Sequence, residues 1–178
     1  MATPAKPAPI VFDPSRDSLD YPFDYNPEET DALKSQLQGN TKVTLDDLRR
    51  VSLWKINRVL EVPDSVLGDF NELTALPNLT HRMPKAIDVL EALVDSRGVG
   101  YPMASSMLKF VRPDVFPIID VRAYRALFGR KLYASMYTTE RYLDYADRCH
   151  EIAESQGIPL AAVDEQLYGF DLKHNGTI

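Results

Sequence analysis

Cysteine is almost absent from this chain, since Cys149 is the only one in 178 residues. A lone thiol excludes an internal disulfide, a cysteine-rich zinc site and an iron–sulfur cluster with four cysteine ligands. Cys149 therefore reads as a small buried hydrophobe. Histidine is scarce too: His81, His150 and His174 are scattered, and only His150 has a sulfur neighbour, one position away and badly placed to share an ion with it. Neither a metal nor any other cofactor is expected. No run approaches the ~18 apolar residues needed to cross a bilayer, and no basic stretch leads into an apolar segment at the N-terminus. The expectation is a cytoplasmic protein without a membrane partner, in which the sequons at Asn78 and Asn175 are chance matches. Also missing are a glycine-rich P-loop, a Gly-x-Ser-x-Gly elbow, a His-Glu-x-x-His helix and a dinucleotide-binding fingerprint.

What is present is 44% apolar residues, enough for one well-buried core. Six of the thirteen prolines fall in the first thirty residues, without a sustained apolar period. Residues 1–25 therefore read as an extended, proline-rich arm, and 26–178 as a single helical domain. Asn26-Pro27-Glu28-Glu29 has the form of an N-cap, a proline and first-turn acids, and Gly39 supplies a stop. Thr44 and Asp47 suggest a cap for a core helix carrying Leu45, Leu48, Val51, Leu53, Trp54, Ile56 and Leu60. Further helices are predicted over 64–76, from Pro84 to the glycines at 98–100, from there to about Pro113, and from about Val121. A long one is expected over 138–156, and a last one from Pro159 to about Tyr168. Val115-Phe116-Pro117-Ile118-Ile119 is an apolar connector, and the fold class is all-α.

The net charge of −6 argues against a generic nucleic-acid binder. Its distribution points the other way. Residues 97–131 hold seven basic side chains against two acidic ones, a local +5 that leaves −11 for the rest of the chain. The same segment begins with Gly98-Val99-Gly100 between two predicted helices, spanning 86–112. A tight turn of this kind presents backbone N–H groups at a helix start, where an anion such as a DNA phosphate is favoured. Glycine lets the backbone turn sharply and approach the phosphate closely. The same pattern also suits a plain corner between helices.

Gly98-Val99-Gly100-Tyr101-Pro102-Met103-Ala104, followed by an apolar helix and Phe116-Pro117-Ile118-Ile119-Asp120, resembles the helix-hairpin-helix/Gly-Pro-Asp (HhH-GPD) DNA glycosylase superfamily. The likeness is to its endonuclease III and adenine-glycosylase branch. It covers about residues 86–130, with Asp120 twenty-two positions beyond Gly98. The resemblance implies a domain of DNA-glycosylase type, a hairpin that holds DNA and a catalytic carboxylate at Asp120. That carboxylate would stabilise the oxocarbenium-like sugar formed as a base leaves, and align water. Read from the residues alone, Asp120 before Val121-Arg122-Ala123 is equally an N-cap.

The pattern also departs from the family. Pro102 stands where members that also cut the strand carry their Schiff-base lysine, which excludes a lyase using that residue. Ser96-Arg97 replaces Leu-Pro, the cluster cysteines are missing, and no wedge motif for a flipped base is evident. Tyr101, Tyr124, Trp54 and Phe110 read first as core, Lys55 and Arg58 as solvated flanks of Trp54, and Asp46-Asp47 as helix-start charges. The leading expectation is a monofunctional base-excision glycosylase acting on DNA, duplex or single-stranded. Asp120 would be catalytic, and Gly98, Val99, Gly100, Tyr101, Arg97, Lys109, Arg122 and Arg125 would touch DNA. The alternatives are a nucleic-acid-binding relative without catalysis, or a helical interaction protein that keeps only the scaffold.

Overall fold

The computed structural model describes residues 8–23, 27–39, 42–55 and 62–178. Within them the regular structure is helical: α1 Pro27–Leu37, α2 Leu45–Lys55, α3 Asp64–Ala75, α4 Pro84–Asp95, α5 Tyr101–Val111, α6 Val121–Phe128, α7 Thr139–Gln156 and α8 Leu160–Asn175. A single 3-10 turn, Ala134–Met136, lies between α6 and α7. The helix starts follow local chemistry. Thr44 and Asp47 cap α2 reciprocally, the Asp47 N–H donating to Thr44 Oγ1 (3.2 Å) and the Thr44 N–H to Asp47 Oδ2 (2.9 Å). Pro84 opens α4, and Thr138 accepts the Arg141 N–H at the start of α7. Gly129 and Gly157 end α6 and α7 in the left-handed conformation.

Helix α5 is the axis of the molecule, packed against α1, α2 and α4, with every residue from Met103 to Val111 buried. A helix buried all round must satisfy whatever polar groups it carries. Ser105 and Ser106 donate to the Pro102 carbonyl, and Lys109 pairs with acids of α8. Helices α6 and α8 pack on each other through a second seam, and α7 leans on α8.

Two expectations need correction. Leu53, placed on the apolar stripe of α2, is 62% exposed, while Leu48, Val51 and Trp54 are buried. Ile56, Leu60, Arg58 and Asn26 lie outside the described residues, as do parts of the arm. The last helix continues past Tyr168 to Asn175, because Phe170 and Asp171 are buried against α6 and the arm. Gly169 inside it is a point of close approach, where an added Cβ would sit 2.5 Å from Tyr21 Cβ. The described arm is therefore packed down. The Phe12 N–H donates to the Ala126 carbonyl at 2.6 Å, the Phe12 ring stands edge-on to Phe170, and Tyr21 exchanges hydrogen bonds with Gln166.

Candidate functional site

The connector 115–119 is buried and leaves a turn at Val115 without entering a helix, so its backbone polar groups need partners. Side chains of three helices supply them. His150 Nε2 lies 3.0 Å from the Val115 carbonyl, Tyr142 donates to Pro117 O (3.1 Å) and Tyr145 to Ile118 O (2.8 Å). The Ile118 N–H donates to Asp164 Oδ2 at 3.1 Å and the Ile119 N–H to Ser105 Oγ at 3.2 Å. This cage fixes the next residue, Asp120, at the start of α6. There its Oδ1 accepts the Arg122 N–H at 2.8 Å, so the N-cap role is real. Its Oδ2 faces Lys55 Nζ at 3.5 Å.

Asp120 also borders a cavity of about 310 Å³, near the lower end of the ~300–1,000 Å³ usual for small-molecule sites. Phe23 of the arm, Trp54 of α2 and Tyr168 of α8 give it aromatic walls, and Lys55, Arg122 and Glu165 give it polar ones. Side-chain exposure falls from 25% at Asp120 to 14% at Glu165 and 5% at Asp164. Asp120 thus stands toward the mouth and the α8 acids toward the interior.

The hairpin turn joins α4 to α5, and its Arg97 borders a separate hollow with Leu45, Arg49 and Pro63. Gly98 has φ +82°, a conformation that disfavours any side chain, whereas Gly100 has φ −123° and an added Cβ there would meet nothing closer than Pro102 Cδ at 4.0 Å. Gly100 is exposed, Val99 is buried, and Arg97 is exposed on the turn. Tyr101 opens α5, stacks on Tyr137 at 6.1 Å and shares a hydrogen bond of 2.9 Å with Thr139. Burial first, and the Asp120 carboxylate second, push the Tyr137 phenol up to about 12. Tyr137 thus stacks on the first residue of α5 and lies within the electrostatic influence of Asp120.

Two of the side chains expected on DNA point inward instead. Lys109 is buried between Asp164 (2.7 Å) and Glu165 (3.1 Å). Burial alone would pull its pKa down, but the two carboxylates outweigh that and hold the ammonium above its ordinary value. Arg125 is buried in a two-pronged pair with Asp171, with 2.7 Å contacts from Nε and Nη2. Arg122 pairs with the same carboxylate at 3.2 Å and lies over the Tyr168 ring, so it is held at the cavity wall. Arg112 is likewise engaged, by Asp114 and the Leu76 carbonyl. Three acids of α8, Asp164, Glu165 and Asp171, thus offset part of the local +5 in space.

Lys55 was missed in the other direction. It reads as a solvated flank of Trp54, yet it is 17% exposed and sits beside Asp120, sixty-five residues away in sequence. No local pattern signals that contact, nor the contributions of Phe23, Tyr137, Glu165 and Tyr168. Trp54, Phe110 and Tyr124 are buried, as aromatic residues at helical spacing usually are, while Tyr101 is half-buried. Cys149 is fully buried, and burial pushes its thiol up, away from thiolate chemistry.

No family model matches the chain, and neither a curated protein nor a solved structure matches it.

Proposed function

We propose that this chain is a monofunctional DNA base glycosylase with a domain of the HhH-GPD type, whose hairpin at Gly98-Val99-Gly100 holds a phosphate and whose Asp120 faces the reacting sugar. The observation that carries the reading is the position of Asp120. It is a carboxylate fixed by a caged connector at the edge of an aromatic-walled cavity. A nucleotide turned out of a strand would stack its base between the aromatic walls and leave its sugar at Asp120. The C1′–N bond then breaks with its electron pair passing to the base, which takes up a proton. Water adds its oxygen to C1′ and releases a proton. The Asp120 charge stabilises the cationic sugar between those events, and the partly desolvated cavity strengthens that interaction. The Lys55 ammonium orients Oδ2.

One observation favours the binding-only alternative: both oxygens of Asp120 already have partners, Arg122 N and Lys55 Nζ. A single substitution separates the two readings. Asparagine is as good an N-cap as aspartate, so Asp120→Asn keeps α6 capped while removing the charge. Under the glycosylase reading, release of damaged bases from oligonucleotides falls by at least about a hundredfold while oligonucleotide binding persists. If wild type and Asp120→Asn both bind DNA and neither releases a base from a broad lesion panel, the binding-only reading replaces it. Gly100→Val tests the hairpin, because a Cβ at that position needs no left-handed backbone and meets nothing closer than 4.0 Å. Loss of salt-dependent binding in this variant is expected. Binding that is unchanged, or absent from wild type at low salt, removes the hairpin from the proposal.

A further inference from the structure

Glu165 is the inner-wall group whose second oxygen has no assigned work. Its Oε1 receives two ammonium groups, Lys109 Nζ at 3.1 Å and Lys34 Nζ at 3.2 Å. Two cations, from α5 and α1, hold that one oxygen in place. Oε2 has no hydrogen-bond partner among the described residues, and it is not among their buried polar atoms that lack one, so it remains accessible. Four residues of the cavity wall, Phe23, Trp54, Ile118 and Glu165, also wall a narrow crevice that runs on to Lys34 and Lys109. Asp120, Arg122 and Tyr168 wall the cavity but not the crevice, which sets Glu165 on the side of the cavity away from Asp120.

Resting on the glycosylase-type reading of the cavity, we propose that Glu165 Oε2 reads the edge of the base remote from the sugar, so that the cavity selects nucleobases presenting an N–H donor on that edge. A fixed, charged acceptor in a partly desolvated site rewards a donor and penalises a lone pair facing it. With Oε1 held by the two lysines, Oε2 is the oxygen left to accept an N–H from the base. Donors such as a lactam N–H or an exocyclic amine satisfy it, and a methyl group on the same nitrogen both removes the hydrogen bond and collides with the oxygen.

Trp54 is the only tryptophan in the chain and walls the cavity, so its fluorescence reports occupancy without DNA binding or catalysis. The experiment titrates the full-length protein with 2′-deoxyinosine, which carries an N1–H, and with N1-methyl-2′-deoxyinosine, which does not. Wild type is expected to bind the first at least about tenfold more tightly. Glu165→Gln is similar in shape, keeps an oxygen for the lysines and is expected to narrow that ratio. Glu165→Ala should abolish it, with circular dichroism confirming the fold of each variant. Equal affinity of wild type for both nucleosides, or a ratio that survives in Glu165→Gln, overturns the role of Glu165 while leaving the cavity as a base site. Absence of saturable quenching by either nucleoside overturns the inference together with the cavity's part in the proposed function. The hairpin's part is judged separately by the oligonucleotide titration of Gly100→Val.

Discussion

The hairpin turn and the α6–α8 seam draw on the same basic stretch of sequence and use it oppositely. At the turn, Arg97 is exposed beside a glycine pair that keeps side chains out of the way. In the seam, Arg122 and Arg125 converge on Asp171, which is fully buried and also accepts from Asn175 at 2.8 Å. Charge counted along a chain says nothing about where the counter-charges fold to. Here α8 brings Asp164, Glu165 and Asp171 to the very cations that made the segment look like a DNA-binding face. The exposed cations of the stretch include Arg97 on the turn and Arg130 after α6, with Lys131 half-buried and 5.5 Å from the Tyr133 ring centroid.

The contrast is most open to attack at the seam. Asp171→Ala leaves the Arg125 guanidinium buried without its carboxylate, a change that costs about 3–5 kcal/mol. For a chain of this size that corresponds to a fall in Tm of about 6–20 °C, measurable by calorimetry. A fall of only a degree or two would mean that the seam relaxes and hydrates, and that Arg125 is able to turn outward to a phosphate after all.

The elements of the fold were legible because their signals are local. Pro84, Thr44 with Asp47, Thr138 and Gly157 each announce a helix boundary through one or two hydrogen bonds or one backbone angle, and the structure places boundaries there. The end of α8 was not legible, since it is set by Phe170 and Asp171 meeting α6 and the arm rather than by a stop residue. The candidate site divides the same way. Asp120 and the glycines lie in one stretch and can be read together. The cavity around Asp120 is assembled from the arm, α2, α6 and α8, and Lys55 and Glu165 acquire meaning only when those pieces meet.

A smaller effect separates the hairpin side from a third cluster, at the junction of α4 with α7. His81 stacks on His150 at 4.7 Å, and its Nε2 lies 2.7 Å from Asp147, which also takes Arg82. Desolvation, helped by the neighbouring His150 and Arg82, lowers the His81 pKa from 6.5 against the pull of Asp147. A histidine held neutral in the fold takes up its proton more readily when unfolded. The stability it confers is therefore present above about pH 6.5 and declines as pH falls from there toward the lowered folded value. Chemical denaturation at a series of pH values should show that decline, bounded by the ~1.4 kcal/mol per pH unit that one proton supplies. His81→Gln should flatten it. A slope unchanged in this variant would move the proton to another group, and the Asp147 carboxylate, held low by Arg82 and His81, contributes only at more acidic pH.

The smallest effect on stability belongs to the turn. Arg97→Ala and Arg130→Ala remove exposed side chains, so each should change folding free energy by no more than about 0.5 kcal/mol. Their expected effect is on DNA. For every phosphate that a variant no longer neutralises, the slope of log affinity against log salt should become shallower by about 0.9 on duplex and about 0.7 on single strands. Arg125→Ala provides the contrast: it should lower Tm strongly and, once the temperature is adjusted so that the variant is folded, leave that slope untouched. If Arg97→Ala left the slope unchanged while Arg125→Ala reduced it, the division between the two regions would be reversed. Phosphate would then be reaching the seam, and the exposed turn would be only a corner between α4 and α5.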